Sequence, residues 1–182
     1  GPAYRRAEWG GWTTEDCRDT RTRVLLRDAE PKSVLWRDGT GPDGEAVECE
    51  IAYGKWRDWY TGEPYVGDPS GLDIDHLVAL GATHAAGGWA WPPARKQAYA
   101  NNLRYRRHLV VTHAGMNRAK GDKGPDRWRP PDRAAWCGFA ESWSAIKTVE
   151  GLRTTEPERL AIREMLKTCG NPKTRTLLDP PG

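Results

Sequence analysis

At 182 residues, 37% of them hydrophobic, the chain is long enough for one domain with a real core and too short for two well-buried ones. Its apolar runs, such as 109–111, are far shorter than a bilayer span, which excludes a helical membrane protein. The formal net charge of +3 is uneven: residues 94–133 hold eleven Lys or Arg against three Asp, a local +8, so the remainder carries −5. A polyanion-binding face requires such a concentration, although a solvated surface also accommodates it.

In chain order, no positively charged stretch followed by an apolar one opens the sequence, so any targeting peptide is expected to have been removed or never present. Asp19 or Thr20 can cap a helix over 21–29 that Pro31 stops. Alternation over 47–53 predicts a strand, and the Gly- and Pro-rich stretches 38–44 and 61–71 read as loops around the aromatic segment 55–60. A β-favouring run at 72–80 predicts a strand with Asp73, Asp75 and Leu77 on one face and Ile74, His76 and Val78 on the other. If it ends or bulges near Asp75, Asp75 and His76 can share a pocket. Pro92 and Pro93 suit the first turn of a helix running to about Asn101. A second apolar strand follows at 108–113, then a short basic helix at 115–123 packed on the two strands. Asp132 caps a helix to about Glu150, and Thr155 opens another to Lys167.

The cysteines at 17, 49, 137 and 169 form no C-x-x-C pair, which argues against a zinc knuckle. Two disulfides are the simpler reading, Cys17 with Cys49 and Cys137 with Cys169, the other two connectivities remaining open. Disulfides persist in oxidising compartments, so a secreted, extracellular protein is expected.

Phosphodiester hydrolysis requires a base for the attacking water, a cation at the phosphate and basic groups along the strand. His76 can serve as the base, since a neutral imidazole accepts a proton at physiological pH. Asp75 supplies a carboxylate oxygen and Asn117 an amide oxygen, a set suited to Mg²⁺, with Mn²⁺ or Ca²⁺ as substitutes. Arg118, Lys120 and Lys123 lie beside Asn117 as candidate phosphate contacts. Each has a plainer reading: an Asp-His pair as a strand end, Asn117 as a helix cap, the lysines as a solvated face.

Three segments, Leu-Asp-Ile-Asp-His-Leu-Val-Ala-Leu (72–80), His-Leu-Val-Val-Thr (108–112) and Asn-Arg-Ala-Lys-Gly-Asp-Lys (117–123), resemble in kind and order the bacterial secreted HNH endonuclease family. The likeness extends through Cys-Arg-Asp-Thr-Arg (17–21) and the 91–102 stretch to Cys169. It implies an α+β fold with a β-β-α-metal core at about 72–123: a short antiparallel hairpin plus helix, wrapped by an N-terminal elaboration and by further helices, including a C-terminal helical pair at about 132–169. All of this would form one domain over 1–182. It further implies His76 as general base, Asp75 and Asn117 as metal ligands and products with 5′ phosphates. His108, at the head of the second strand, matches the middle letter of the motif, with Asn101 or Asn102 as substitutes. The expected partner is nucleic acid, DNA before RNA, with no membrane and a monomeric chain. The competing classes are a catalytically silent nucleic-acid-binding module and a toxin domain with an immunity partner. Asp73 is a candidate outer partner of the metal site, His84 and His113 read as structural, and Trp89, Trp91 and Trp128 are candidate base-stacking residues.

Overall fold

In the computed structural model residues 1–170 are described, and the tail 171–182 of the expected domain lies outside the described residues. Two-residue strands β1 (Thr14–Glu15) and β2 (Arg18–Asp19) pair antiparallel across a tight turn. Its central residues, Asp16 at φ 48° and Cys17 at φ 62°, take the left-handed conformations that a two-residue hairpin turn requires. Cys17 is bonded to Cys49, which ties this turn to the loop that leads into the strand starting at Ile51. Asp19 then caps α1 (Thr20–Asp28), its carboxylate accepting from Thr22 N at 2.7 Å.

Strands β3 (Leu35–Trp36), β4 (Ile51–Arg57) and β5 (Pro64–Gly67) form an antiparallel sheet in that order. The strand expected at 47–53 therefore starts later, at Ile51, and runs through Trp56, which the sequence placed between loops. Residues 48–49 are committed elsewhere: Arg18 Nε donates to Glu48 O at 2.7 Å and Cys49 is disulfide-bonded.

The centre of the molecule is the antiparallel pair β6 (Leu72–His76) and β7 (Leu109–His113), in a register that sets Asp73 opposite Thr112, Asp75 opposite Val110 and His76 opposite Leu109. One face, with Leu72, Ile74, Leu109 and Val111, packs into a core with Val24, Leu25, Ile51 and Trp56. Val110, on the other face, joins a second core built from Trp9, Tyr60, Leu77, Tyr99, Phe139, Trp143 and Met165. Burial on both faces explains why 109–112 reads as continuous apolar sequence rather than alternation. The strand expected through residue 80 ends at His76, and the chain turns into α2 (Leu80–Ala85) and then α3 (Pro93–Ala100).

Helix α4 (Ala114–Lys120) follows β7 directly and packs on both central strands. Asp132 caps a single 3₁₀ turn rather than the long helix itself, and α5 (Trp136–Val149) starts after it. Thr155 and Glu158 form a capping box on α6 (Glu156–Leu166). The Cys137–Cys169 disulfide joins the start of α5 to the residues just past α6, the local pairing favoured from the sequence. The architecture is α+β, with three small antiparallel sheets among the described residues and helices packed around the central strand pair.

Candidate active site

Alternation along β6 puts Asp73 and Asp75 on one face, and α4 meets that face with residues three apart, one helical turn. Asn117 Nδ2 donates to Asp73 Oδ2 at 2.9 Å, and Lys120 Nζ lies 2.8 Å from Asp75 Oδ2. The match is two for two. Asp75 and Asn117 are thus brought to one strand–helix junction, linked through Asp73 and Lys120 rather than to each other.

Tyr60, unnoticed in the sequence, completes the surroundings of Asp75. Its hydroxyl donates to Asp75 Oδ2 at 2.6 Å. The turn carrying Tyr60 is held by buried Asp58, which accepts from Tyr60 N and Thr61 N through Oδ1 and from Thr112 Oγ1 and His113 N through Oδ2. An aspartate two residues before Tyr60, placed to accept from the N–H groups of the turn, was the available signal. Burial raises the Asp75 carboxyl above its ordinary value, opposed by the Lys120 charge and by hydrogen bonds from Lys120 and Tyr60. Burial and the adjacent Asp75 charge push the Tyr60 phenol well up, so it remains a donor.

The ring of His76 goes the other way, as strand alternation dictates, so the expectation of a shared pocket for the two side chains of the Asp-His pair is corrected in its detail. Its Nε2 sits 2.9 Å from Ala100 O. A carbonyl only accepts, so Nε2 carries the proton and Nδ1 the lone pair. Nδ1 makes no hydrogen bond among the described residues and is not sealed from solvent. What returns His76 to the junction is its backbone: Lys120 Nζ also donates to His76 O at 3.0 Å. His108 does the equivalent one residue earlier, with Nε2 2.7 Å from Tyr99 O. Two imidazoles therefore bond consecutive carbonyls at the C-terminus of α3: Tyr99 O, which also accepts from Asn102 N at 3.2 Å, and Ala100 O.

Burial lowers His76 to about 3, helped by the neighbouring His108 and Lys120, and lowers His108 to about 4, against an ordinary value of 6.5. Because both values are depressed in the folded state, the unfolded chain takes up protons first as pH falls. Stability from these neutral imidazoles is complete above pH 6.5 and is lost progressively as pH drops from there through 4 towards 3. Urea midpoints measured between pH 7 and pH 4 are therefore expected to fall steadily, and a flat profile would show that neither ring is held neutral.

The remaining predicted residues separate by burial. Arg118 is exposed, and Lys123 is half-buried with Nζ donating to Ala119 O at 2.8 Å. Lys120, grouped with them from the sequence as a phosphate contact, is corrected: it is 0% exposed and its ammonium faces inward. The basic stretch as a whole is partly neutralised within the fold, by Lys96 with Glu8, Arg95 with Glu150 and Arg129 with Glu164. Trp128 packs at a steep angle on Tyr60 and Phe139, and Trp91 packs tilted on Trp9 and Tyr99, so both are partly buried and only Trp89 of the three candidate stackers is broadly exposed, at 42%. His84 Nε2 bonds Pro2 O, and the His113 ring sits edge-on to Tyr65, both in structural settings.

Oxygen ligands for a hard cation exist at the junction. Both donors to Asp75 land on Oδ2, leaving Oδ1 without a hydrogen bond among the described residues. Because the Asn117 amide gives its NH₂ to Asp73, its carbonyl oxygen is directed away from that carboxylate and carries lone pairs without a donor among the described residues. Carboxylate and amide oxygens are the atom types taken by a divalent cation that keeps several waters. The Cys137, Glu141 and Cys169 group, also close together, offers disulfide sulfurs rather than thiolates.

Fold and site together define a disulfide-stapled α+β protein with a buried Asp–Lys pair and two buried neutral histidines around one strand–helix junction. The chain is similar to an uncharacterized secreted protein of Arthroderma benhamiae, 36% identical over 138 residues that cover 76% of this chain and 66%, just under two thirds, of that protein. No protein-family model and no solved structure matches the chain. The two disulfides and the secreted relative agree on an extracellular protein, and no helix among the described residues is long and apolar enough to cross a membrane.

Proposed function

We propose that this secreted protein is a metal-dependent endonuclease of the HNH type, its β6, β7 and α4 forming a β-β-α-metal core that hydrolyses phosphodiester bonds of DNA, with RNA as a further substrate. The observation that supports the reading most is the facing of Asp73 and Asp75 from β6 by Asn117 and Lys120 from α4, with the backbone of His76 bonded into the same junction. Asp75 and Asn117 would hold the cation, Mg²⁺ first and Mn²⁺ or Ca²⁺ in its place. When bound, it would neutralise charge on the scissile phosphate and on the departing 3′ oxygen. His76 Nδ1 takes the proton of the attacking water. Its Nε2–H stays on Ala100 O, which keeps the tautomer and the ring direction constant through the transfer. His108 fixes the carbonyl next to that one and so acts through the backbone rather than on the substrate. Arg118 and Lys123 supply positive charge on the rim of α4 for the phosphodiester strand.

The Lys120 ammonium at Asp75 favours a second reading, a nucleic-acid-binding module in which an internal cation replaces the catalytic one. One experiment separates the two. Supercoiled plasmid and a single-stranded oligonucleotide are incubated with the protein in Mg²⁺, Mn²⁺, Ca²⁺ or EDTA. Cleavage leaving 5′ phosphates, dependent on metal and absent in EDTA, is expected. Bound but intact nucleic acid in every metal would reject the nuclease and leave the module.

A further inference from the structure

The N-terminal segment bears on His76 through a closed circuit of contacts. Ala100 O holds His76 Nε2, and the next residue, Asn101, reaches back to the N-terminal segment. Its Nδ2 donates to Gly11 O at 3.0 Å and its Oδ1 accepts from Thr13 N at 2.9 Å, so one side-chain amide brackets Trp12 as a neighbouring strand would. Thr20 Oγ1 donates to the same Oδ1 at 2.7 Å, and Thr20 N to Thr13 O at 3.0 Å, which locks the bracket to the start of α1. Trp12 itself lies nearly parallel to the His76 imidazole, with ring centroids 5.6 Å apart and 16° between planes. Tyr99, from the helix that supplies the two carbonyls, is also nearly parallel to that ring, at 6.4 Å and 10°.

From this circuit we infer that Trp12 is a positioning residue for His76 and that the Asn101 bracket makes the N-terminal segment a working part of the active site; the inference rests on the nuclease reading for what His76 does. The hydrogen bond to Ala100 O fixes one atom of the imidazole and leaves rotation about that bond. A ring stacked on the imidazole removes the rotation, and with it the freedom of Nδ1 to point away from the attacking water. Small errors in the direction of a base are costly, a misplacement of about 1 Å being worth on the order of 10²-fold in rate. Asn101 is fully engaged, each of its amide atoms serving two partners, so its loss frees residues 11–13 together.

The test compares Trp12→Ala, Trp12→Phe and Asn101→Ala with the wild type, each first shown to be folded by circular dichroism. Cleavage of plasmid DNA in Mg²⁺ is resolved into kcat and KM, and ¹⁵N spectra of the metal-free protein at one pH report which His76 nitrogen bears the proton. Expected are a drop in kcat of roughly 10- to 100-fold for Trp12→Ala and Asn101→Ala with KM within about twofold, and recovery to within about threefold of wild type for Trp12→Phe, which keeps a flat ring. Wild-type kcat in folded Trp12→Ala would overturn the inference, as would equal loss in the Phe and Ala variants. If Trp12→Ala does not fold, Trp12→Phe and Asn101→Ala decide: wild-type kcat in Asn101→Ala overturns the inference. If the wild type cleaves nothing, the nuclease reading fails on its own and the spectra decide: an unchanged Nε2–H, Nδ1-bare pattern in the variants overturns positioning by Trp12, and a mixed pattern supports it.

Discussion

Replacing His76 by Ala is expected to lower kcat for DNA cleavage by about 10²- to 10⁴-fold, the range lost when a general base is removed. Binding, measured by fluorescence anisotropy with a labelled duplex in EDTA, should stay within about twofold of wild type. The reason lies in where the ring sits. His76 is 8% exposed, its Nε2 is occupied by Ala100 O, and only Nδ1 is available to water, so the side chain offers almost no surface to a bound strand and one atom to the chemistry. The variant is first to be checked as folded by circular dichroism, since loss of the ring also unpairs the Ala100 carbonyl. Parallel loss of binding and cleavage in a folded variant would mean that His76 shapes the binding surface, and undiminished cleavage would remove it from the mechanism.

Lys120→Met should be the most destabilising single change on α4, by about 3 kcal/mol at neutral pH, because it leaves a buried carboxylate without its cation. Lys120 is fully buried and the Asp75 side chain is 7% exposed, so water solvates the carboxylate poorly once the ammonium is gone. The sign of the pH dependence follows from Asp75. Burial already raises its folded-state value, and loss of Lys120 raises it further, so the penalty vanishes where the carboxyl is protonated in both states and grows as pH rises above the ordinary carboxylate value of 3.8. Denaturation free energies at pH 5 and pH 8 should therefore differ from wild type more at pH 8. Lys123→Met should stay within about 0.5 kcal/mol of wild type. For nucleic-acid binding the order reverses. Neutralising Arg118 and Lys123 should reduce the salt slope by about one each, and Lys120→Met should leave it unchanged. A salt slope that falls with Lys120→Met would show that this ammonium turns outward to phosphate.

What could be read from the chain alone depended on forces acting over a few residues. Asp19 caps α1 and Thr155 caps α6 because a side-chain oxygen accepts from a backbone N–H three positions ahead. The alternation of β6 assigned Asp73 and Asp75 to one face because side chains on a strand switch sides at every residue. The two local disulfides were favoured by spacing, and the structure decided between them and the other two connectivities. Asp75, His76, His108 and Asn117 could be named as candidates from their place in the chain, and Asp73 suspected.

The direction in which each of those groups points was a matter for the tertiary structure. Lys120 and Lys123 are three residues apart in one basic run, yet one ammonium is sealed against Asp75 and against a carbonyl 44 residues away while the other stays at the rim. Tyr60 reaches Asp75 only because Asp58 pins its turn to β7, and Trp12 meets His76 only because Asn101 spans 90 residues to Gly11. Sequence by itself determined the two faces of the central strand and the caps of α1 and α6, since those follow from local backbone geometry, while the ends of β4 and β6 and the existence of α2 and β5 came from the fold. Only the fold decided which charges are buried, since the cost of taking a charge out of water is offset by partners that local sequence does not contain.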